Sequence, residues 1–145
     1  MSERVLIVED CLSLSEQLLN YLELVGLKAD VVESLSCAIQ ALEKVAYGLI
    51  VLDLELPDSS GVQTLERLLA HSNGSKIVIY SGGVDQGTQR LADIHKIVVQ
   101  VKGQVAAQQL VALIGKTLKS PKATRALARL QTKLAVSIRG LEQTN

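Results

Sequence analysis

Five polar positions stand where apolar runs stop. Glu9 and Asp10 follow Val5-Leu6-Ile7-Val8, Asp53 follows Leu49-Ile50-Val51-Leu52, Ser81 follows Ile77-Val78-Ile79-Tyr80, and Lys102 follows Ile97-Val98-Val99-Gln100-Val101. Asp53 is the most demanding of them, because an ionised carboxylate in an apolar setting is costly unless it is paired or neutralised. If the first and third runs are neighbours, three carboxylates converge, and each pair about 4 Å apart repels by roughly 1 to 4 kcal/mol at effective dielectrics of 80 to 20. Lys102 supplies one positive charge. A hard divalent cation with oxygen ligands supplies the rest, and Mg²⁺ is typically held by one or two carboxylates together with waters and a phosphate. Carboxylates also form aspartyl-phosphates, and phosphoryl transfer is mainly positioning and charge neutralisation. The residue types therefore suggest Asp53 as phosphoacceptor, a cation on Asp10 and Asp53, and Lys102 and the Ser81 hydroxyl on the phosphoryl oxygens, with no separate base.

These residues need elements to position them. Apolar runs at 4–9, 27–33, 49–55, 76–82 and 97–101 read as strands, and helical periodicities alternate with them. Leu14, Leu18, Leu22 and Val25 share one helical face, opened by the capping-box pattern Ser13-x-x-Glu16 and closed by Gly26. Ala38, Leu42 and Val45 mark the second helix, and Val62, Leu65, Leu68 and Leu69 the third. A weaker helix loosened by Gly87 lies around 86–95, and a fifth follows the last strand. Strands apolar on both faces and separated by helices predict an α/β fold, a doubly wound (βα)₅ parallel sheet covered on both sides. Sites in such sheets lie beyond the carboxyl ends of the strands, where strand order reverses.

A chain of 145 residues, 48% hydrophobic, is long enough for one sizeable core. No apolar stretch is long enough to span a bilayer, and the N-terminus lacks the pattern of a signal peptide, so the expectation is a cytoplasmic protein with no membrane association. Cys11 and Cys37 lack metal or redox spacing and are expected to be half-buried; His71 and His95 are expected at the surface. Three tyrosines and no Phe or Trp argue against an aromatic platform for single-stranded nucleic acid. The formal charge of zero divides unevenly: residues 1–115 carry 14 acids and 8 bases, residues 116–145 carry 1 acid and 7 bases.

The motifs, taken together, resemble those of the receiver domain of two-component response regulators. The resemblance rests on the acidic pair in LIVED, on Asp53 with Pro57 and Gly61 downstream in VLDLELPDSSG, on Ser81 in VIYSGG, and on Lys102 in VVQVKG. It implies the flavodoxin-like strand order 2-1-3-4-5 and a receiver domain over residues 1–120. It further implies phosphotransfer to Asp53 from a histidine kinase, a phosphotransfer protein or a small phosphodonor. Mg²⁺ would be bound by Asp10, Asp53 and the backbone carbonyl of Glu55, with Glu9 acting through water. Such a domain catalyses only its own phosphotransfer and dephosphorylation, and is not an enzyme in the ordinary sense.

Several positions depart from the pattern, among them ADIHK at 92–96, which replaces a common Ala-Gly turn before strand five. Val99 stands where family members often have an aromatic switch residue, Gly103 replaces a usual proline after the lysine, and Glu55 adds a carboxylate able to hold the cation directly. Two other function classes follow from them: a pseudo-receiver, acting as a phosphorylation-independent interaction domain, and a small hydrolase working through an aspartyl-phosphate, suggested by the D-x-E spacing of Asp53 and Glu55.

Pro121 is expected to interrupt any helix reaching it. Beyond it, residues 121–145 read as an amphipathic basic helix or linker, with Ala123, Leu127, Leu130, Leu134, Ile138 and Leu141 on one stripe and Lys122, Arg125, Arg129 and Lys133 opposite. That stripe needs a cover: a second copy, the receiver itself, or an output domain, for which a DNA-binding domain is the candidate by resemblance. A homodimer through this helix or the strand-five face is the other candidate assembly.

Overall fold

The computed structural model describes residues 3–143, with side chains as far as Lys133. The strands are β1 (Val5–Val8), β2 (Ala29–Val32), β3 (Leu49–Leu52), β4 (Lys76–Ser81) and β5 (Val98–Val101). The helices are α1 (Leu12–Leu24), α2 (Leu35–Lys44), α3 (Gly61–Leu69), α4 (Gln86–Ile94), α5 (Ala107–Thr117) and α6 (Pro121–Gln143). All strands are parallel, in the order β2-β1-β3-β4-β5, as the resemblance implies.

Alternation along each central strand divides the core into two layers. Val5, Ile7, Leu49, Val51, Val78 and Tyr80 pack under α1 and α5. Leu6, Val8, Ile50, Leu52, Ile77 and Ile79 pack under α2, α3 and α4. β1 and β3 are buried throughout, whereas β2 and β5 are half-buried as edge strands, with Val98 of β5 exposed. The order reverses between β1 and β3, and in such sheets sites lie beyond the carboxyl ends of the strands at that point.

The opposite end of the sheet is closed by polar bonds. Arg4 forms a forked pair with Asp30, from Nε at 2.8 Å and Nη2 at 3.0 Å, and the Tyr47 hydroxyl donates to Asp30 at 2.6 Å. Arg4 holds the Asp30 carboxyl below its ordinary range, while burial and then the Asp30 carboxylate push the Tyr47 phenol up to about 12, so Tyr47 stays a neutral donor.

Two local expectations are corrected. Helix α1 opens at Leu12 with Cys11 as its N-cap, ahead of Ser13, so the Ser13–Glu16 box does not form; instead Glu9 takes the N–H of the cap residue Cys11, and the Ser15 hydroxyl donates to the Leu12 carbonyl in the first turn. Cys11 and Cys37 are both exposed rather than half-buried, because each sits at a helix N-terminus on the solvent side. His71 and His95 are exposed as expected.

The chain break before Pro121 is well defined. Helix α5 stops at Thr117, Lys119 turns through a left-handed conformation at φ 54°, and Pro121 becomes the first residue of α6. Ser120, fully buried, accepts from the Ala123 N–H at 3.2 Å as N-cap. The start of α6 lies on the rest of the fold: Ala123 is fully buried, and Leu127 and Leu130 pack on the α1–α5 layer. Gly115 permits this approach, whereas at Gly26 the near atom is the far end of the flexible Lys122 side chain. A Cβ on Gly115 would stand 3.3 Å from the Ala123 Cβ, and one on Gly26 would stand 2.6 Å from the Lys122 Cε. The remaining stripe residues, Leu134, Ile138 and Leu141, lie outside the described side chains. Among the described residues, no helix is long and apolar enough to cross a membrane.

Ser120→Ala removes the α6 cap and is expected to cost about 1 kcal/mol of stability. Urea denaturation measures that loss, and faster amide exchange at Ala123 locates it in the first turn of α6.

Candidate functional site

The sheet ladder itself delivers the site residues to one place. Beyond the last paired residues, the Glu9 N–H donates to the Val32 carbonyl at 3.0 Å, the Asp53 N–H to the Val8 carbonyl at 3.0 Å, and the Lys102 N–H to the Ser81 carbonyl at 2.9 Å. Each polar residue is thus registered against its neighbouring strand before its side chain makes any contact.

The side chains then converge. The Lys102 Nζ lies 2.7 Å from Glu9 Oε2 and 3.0 Å from Asp53 Oδ2. Ser81, fully buried, donates its hydroxyl to Asp53 Oδ1 at 3.1 Å, and the Glu55 backbone N–H reaches the same oxygen at 3.1 Å. Glu9 Oε1 accepts from the Cys11 N–H at 3.0 Å. Glu9 and Asp53 are each only 4% exposed, while Lys102 remains open on one side and Asp10 is exposed. Carboxylate oxygens of Glu9, Asp10 and Asp53 lie within 4.8 Å of one another, a hard, anionic donor set suited to a divalent cation of the magnesium type.

Electrostatics follow from burial. Desolvation raises the Glu9 carboxyl above its ordinary value against the pull of the Lys102 hydrogen bond, and the nearby Asp53 adds to the rise. Burial works to lower Lys102, but its hydrogen bonds to Glu9 and Asp53 prevail and raise it. Two buried acids are thereby held by one firmly protonated lysine.

Of the residues singled out in sequence, Glu9, Asp10, Asp53, Ser81 and Lys102 come together. Glu55 joins through its backbone; its side chain is exposed, and its carboxylate is not part of the acidic cluster among the described residues. Val99 is half-buried against the α2–α4 layer. Gly103 adopts φ 85°, a conformation closed to proline, so the turn carrying Lys102 is set by glycine. Some contributors went unread in sequence. Thr64, fully buried, donates to the Leu54 carbonyl at 2.8 Å, Tyr80 donates to the Val105 carbonyl at 3.1 Å, and Asp58 accepts from the start of α2. The partners of Tyr80 and Asp58 are more than twenty residues away, and only the apolar context of Thr64 hinted at its burial.

A five-stranded parallel sheet with an acid cluster and a lysine above its reversal point defines a receiver-type signalling domain. Residues 5–114 match the family model of the response regulator receiver domain, and the chain belongs to that family. Similar solved structures include the signal receiver domain of a protein described as a Luxo repressor from Vibrio parahaemolyticus, at 25% identity and TM-score 0.71, covering 92% of this chain and 98% of that one. A CheY-like receiver domain from Methylobacillus flagellatus is 26% identical with TM-score 0.66, covering 81% and 99%. The receiver domain of a sensor histidine kinase from Pseudomonas aeruginosa PAO1, solved with a magnesium ion coordinated in its active-site cleft, is 20% identical with TM-score 0.67, covering 83% and 100%. No curated protein matches the sequence significantly.

Lys102→Met leaves Glu9 and Asp53 buried without their counter-charge, which costs about 3 kcal/mol near neutral pH. Without the lysine, Glu9 rises further above 4.5. Between the two folded-state Glu9 titrations the folded variant binds more protons than the folded wild type, so its stability deficit grows as pH rises through them and shrinks as pH falls. Urea denaturation in EDTA at several pH values measures this; a deficit independent of pH contradicts it.

Proposed function

We propose that the chain is a phosphoacceptor receiver of a two-component system, taking a phosphoryl group on Asp53 in a Mg²⁺-dependent reaction. The observation that carries the reading is the Lys102 ammonium bridging Glu9 and Asp53, with Ser81 on the other Asp53 oxygen. Glu9, Asp10 and Asp53, with the Glu55 backbone, are the groups to hold the cation, which when bound would neutralise charge on the incoming phosphoryl group. The magnesium in the Pseudomonas aeruginosa neighbour supports that choice of ion.

Each protein group then has a task. Asp53 presents a carboxylate oxygen to the phosphorus of the donor; the new oxygen–phosphorus bond forms as the bond to the leaving acetate or histidine breaks. Ser81 and the Glu55 N–H hold Asp53 in a fixed orientation beforehand, which lowers the entropic part of the barrier. Lys102 exchanges its bond to Asp53 for one to a phosphoryl oxygen, and the Ser81 hydroxyl follows. Tyr80 directly precedes Ser81, and its hydroxyl is tied to Val105, just past Lys102. This tie supports a relay from β4 into the loop before α5 without an aromatic at position 99. We read 1–120 as the receiver and 121–145 as a basic helix leading towards an output partner, with a histidine kinase or phosphotransfer protein as phosphodonor and a cytoplasmic location.

With acetyl phosphate and Mg²⁺, intact mass is expected to show a gain of one phosphoryl group. The gain vanishes in Asp53→Asn or EDTA and forms at least tenfold more slowly in Lys102→Met. A folded wild type that takes no phosphoryl group would establish the pseudo-receiver reading instead, and rapid turnover of a generic phosphomonoester the hydrolase one.

A further inference from the structure

We propose that Asp58 is a positioning residue for the phosphoacceptor site: by clamping the loop after β3 to the first turn of α2, it fixes the Glu55 backbone that orients Asp53. The inference rests on Asp53 being the phosphoacceptor, and deepens that reading.

Helix α2 needs partners for the N–H groups of its first turn. Its own N-cap, Ser34, takes the Cys37 N–H at 3.1 Å. The Leu35 and Ser36 N–H groups remain, and both go to a single side chain 23 and 22 residues away: Leu35 to Asp58 Oδ1 at 2.9 Å and Ser36 to Asp58 Oδ2 at 2.9 Å. Both oxygens of one carboxylate engaged by two successive N–H groups fix orientation as well as distance. The negative charge also lies at the positive end of the helix, and those two backbone bonds hold Asp58 below its ordinary range.

Asp58 belongs to a short turn. The Leu56 N–H donates to the Ser59 carbonyl at 2.9 Å, the Ser59 N–H returns to Leu56 at 3.3 Å, and Pro57 restricts the backbone between them. The near end of the loop is held from α3, where the Gly61 N–H and the Thr64 hydroxyl both reach the Leu54 carbonyl, at 3.1 and 2.8 Å. Thr64 also contacts the Ser59 hydroxyl at 2.8 Å. Leu54 and Leu56 are both buried in the α2–α4 layer, and Glu55 between them points outward. The Glu55 peptide is therefore suspended between two anchors: Leu54 tied to α3, and the 56–59 turn tied by Asp58 to α2. From that suspension its N–H meets Asp53 Oδ1.

A cap serving α2 alone would not need to come from this loop, and the helix keeps Ser34 when Asp58 is lost. That supplies the control. Amide exchange by NMR and Mg²⁺ titration are to be compared in the wild type, Asp58→Ala, Asp58→Asn and Ser34→Ala. In Asp58→Ala the Glu55 amide is expected to exchange at least tenfold faster, with Mg²⁺ affinity three- to tenfold weaker and phosphorylation by acetyl phosphate slowed in proportion. Asp58→Asn, which keeps one acceptor oxygen, falls between. Ser34→Ala removes the other cap of the same helix and leaves Glu55 exchange and Mg²⁺ affinity within twofold of wild type. Unchanged Glu55 exchange in Asp58→Ala, or equal changes in Ser34→Ala, overturns the proposal. If Glu55 exchange responds to Asp58 alone while the wild type accepts no phosphoryl group, the positioning role stands and the phosphoacceptor reading fails.

Discussion

One lysine keeps the acidic pocket folded. Three carboxylates lie within 4.8 Å of one another, and at that spacing each pair repels by roughly 3 kcal/mol at an effective dielectric of 20. Two of the three, Glu9 and Asp53, are almost wholly buried and so lack the water that would screen them. Lys102, reaching both at once, offsets the repulsion, and the aliphatic core beneath supplies the stability that such a site consumes. The pocket remains over-supplied with negative charge, and that surplus is what suits it to a divalent cation.

Two acids of this protein show how environment decides behaviour. Asp30, at the far end of the sheet, is partly exposed and gripped by Arg4, which holds its carboxyl low. Glu9 touches a cation at a similar distance, yet burial raises it. The difference is solvent: Asp30 keeps part of its hydration, whereas Glu9 has exchanged nearly all of it for the Cys11 N–H and an ammonium shared with Asp53, and burial outweighs both. The polar network around Arg4, Asp30 and Tyr47 thus closes the sheet, and the one around Lys102 leaves the lysine partly open to solvent.

Much of the site could be read along the chain. Asp53, Ser81 and Lys102 were visible because each ends an apolar run, and a parallel sheet sends every strand end to the same edge. Pro121 marked the break before α6, since proline can begin a helix but not continue one. The helix starts at Leu12 rather than after Ser13 because the Ser13–Glu16 pattern is a local signal, whereas the N–H of the cap residue Cys11 is taken by Glu9, which β2 holds through its own backbone. The cysteines were misplaced for a related reason: small apolar character does not say which side of a helix end faces water.

By itself, the sequence determined the alternation of strands and helices, the two-sided core and the identity of the groups at the strand ends, because these depend on periodicity and on the cost of burying charge. Tertiary structure alone decided which partners those groups take. That Lys102 divides itself between Glu9 and Asp53, that Asp58 caps a helix 22 residues earlier, and that Gly115 makes room for Ala123 of α6 are pairings across strands and layers. Such pairings have no period along the chain, since they arise only when separately determined elements are brought to van der Waals distance.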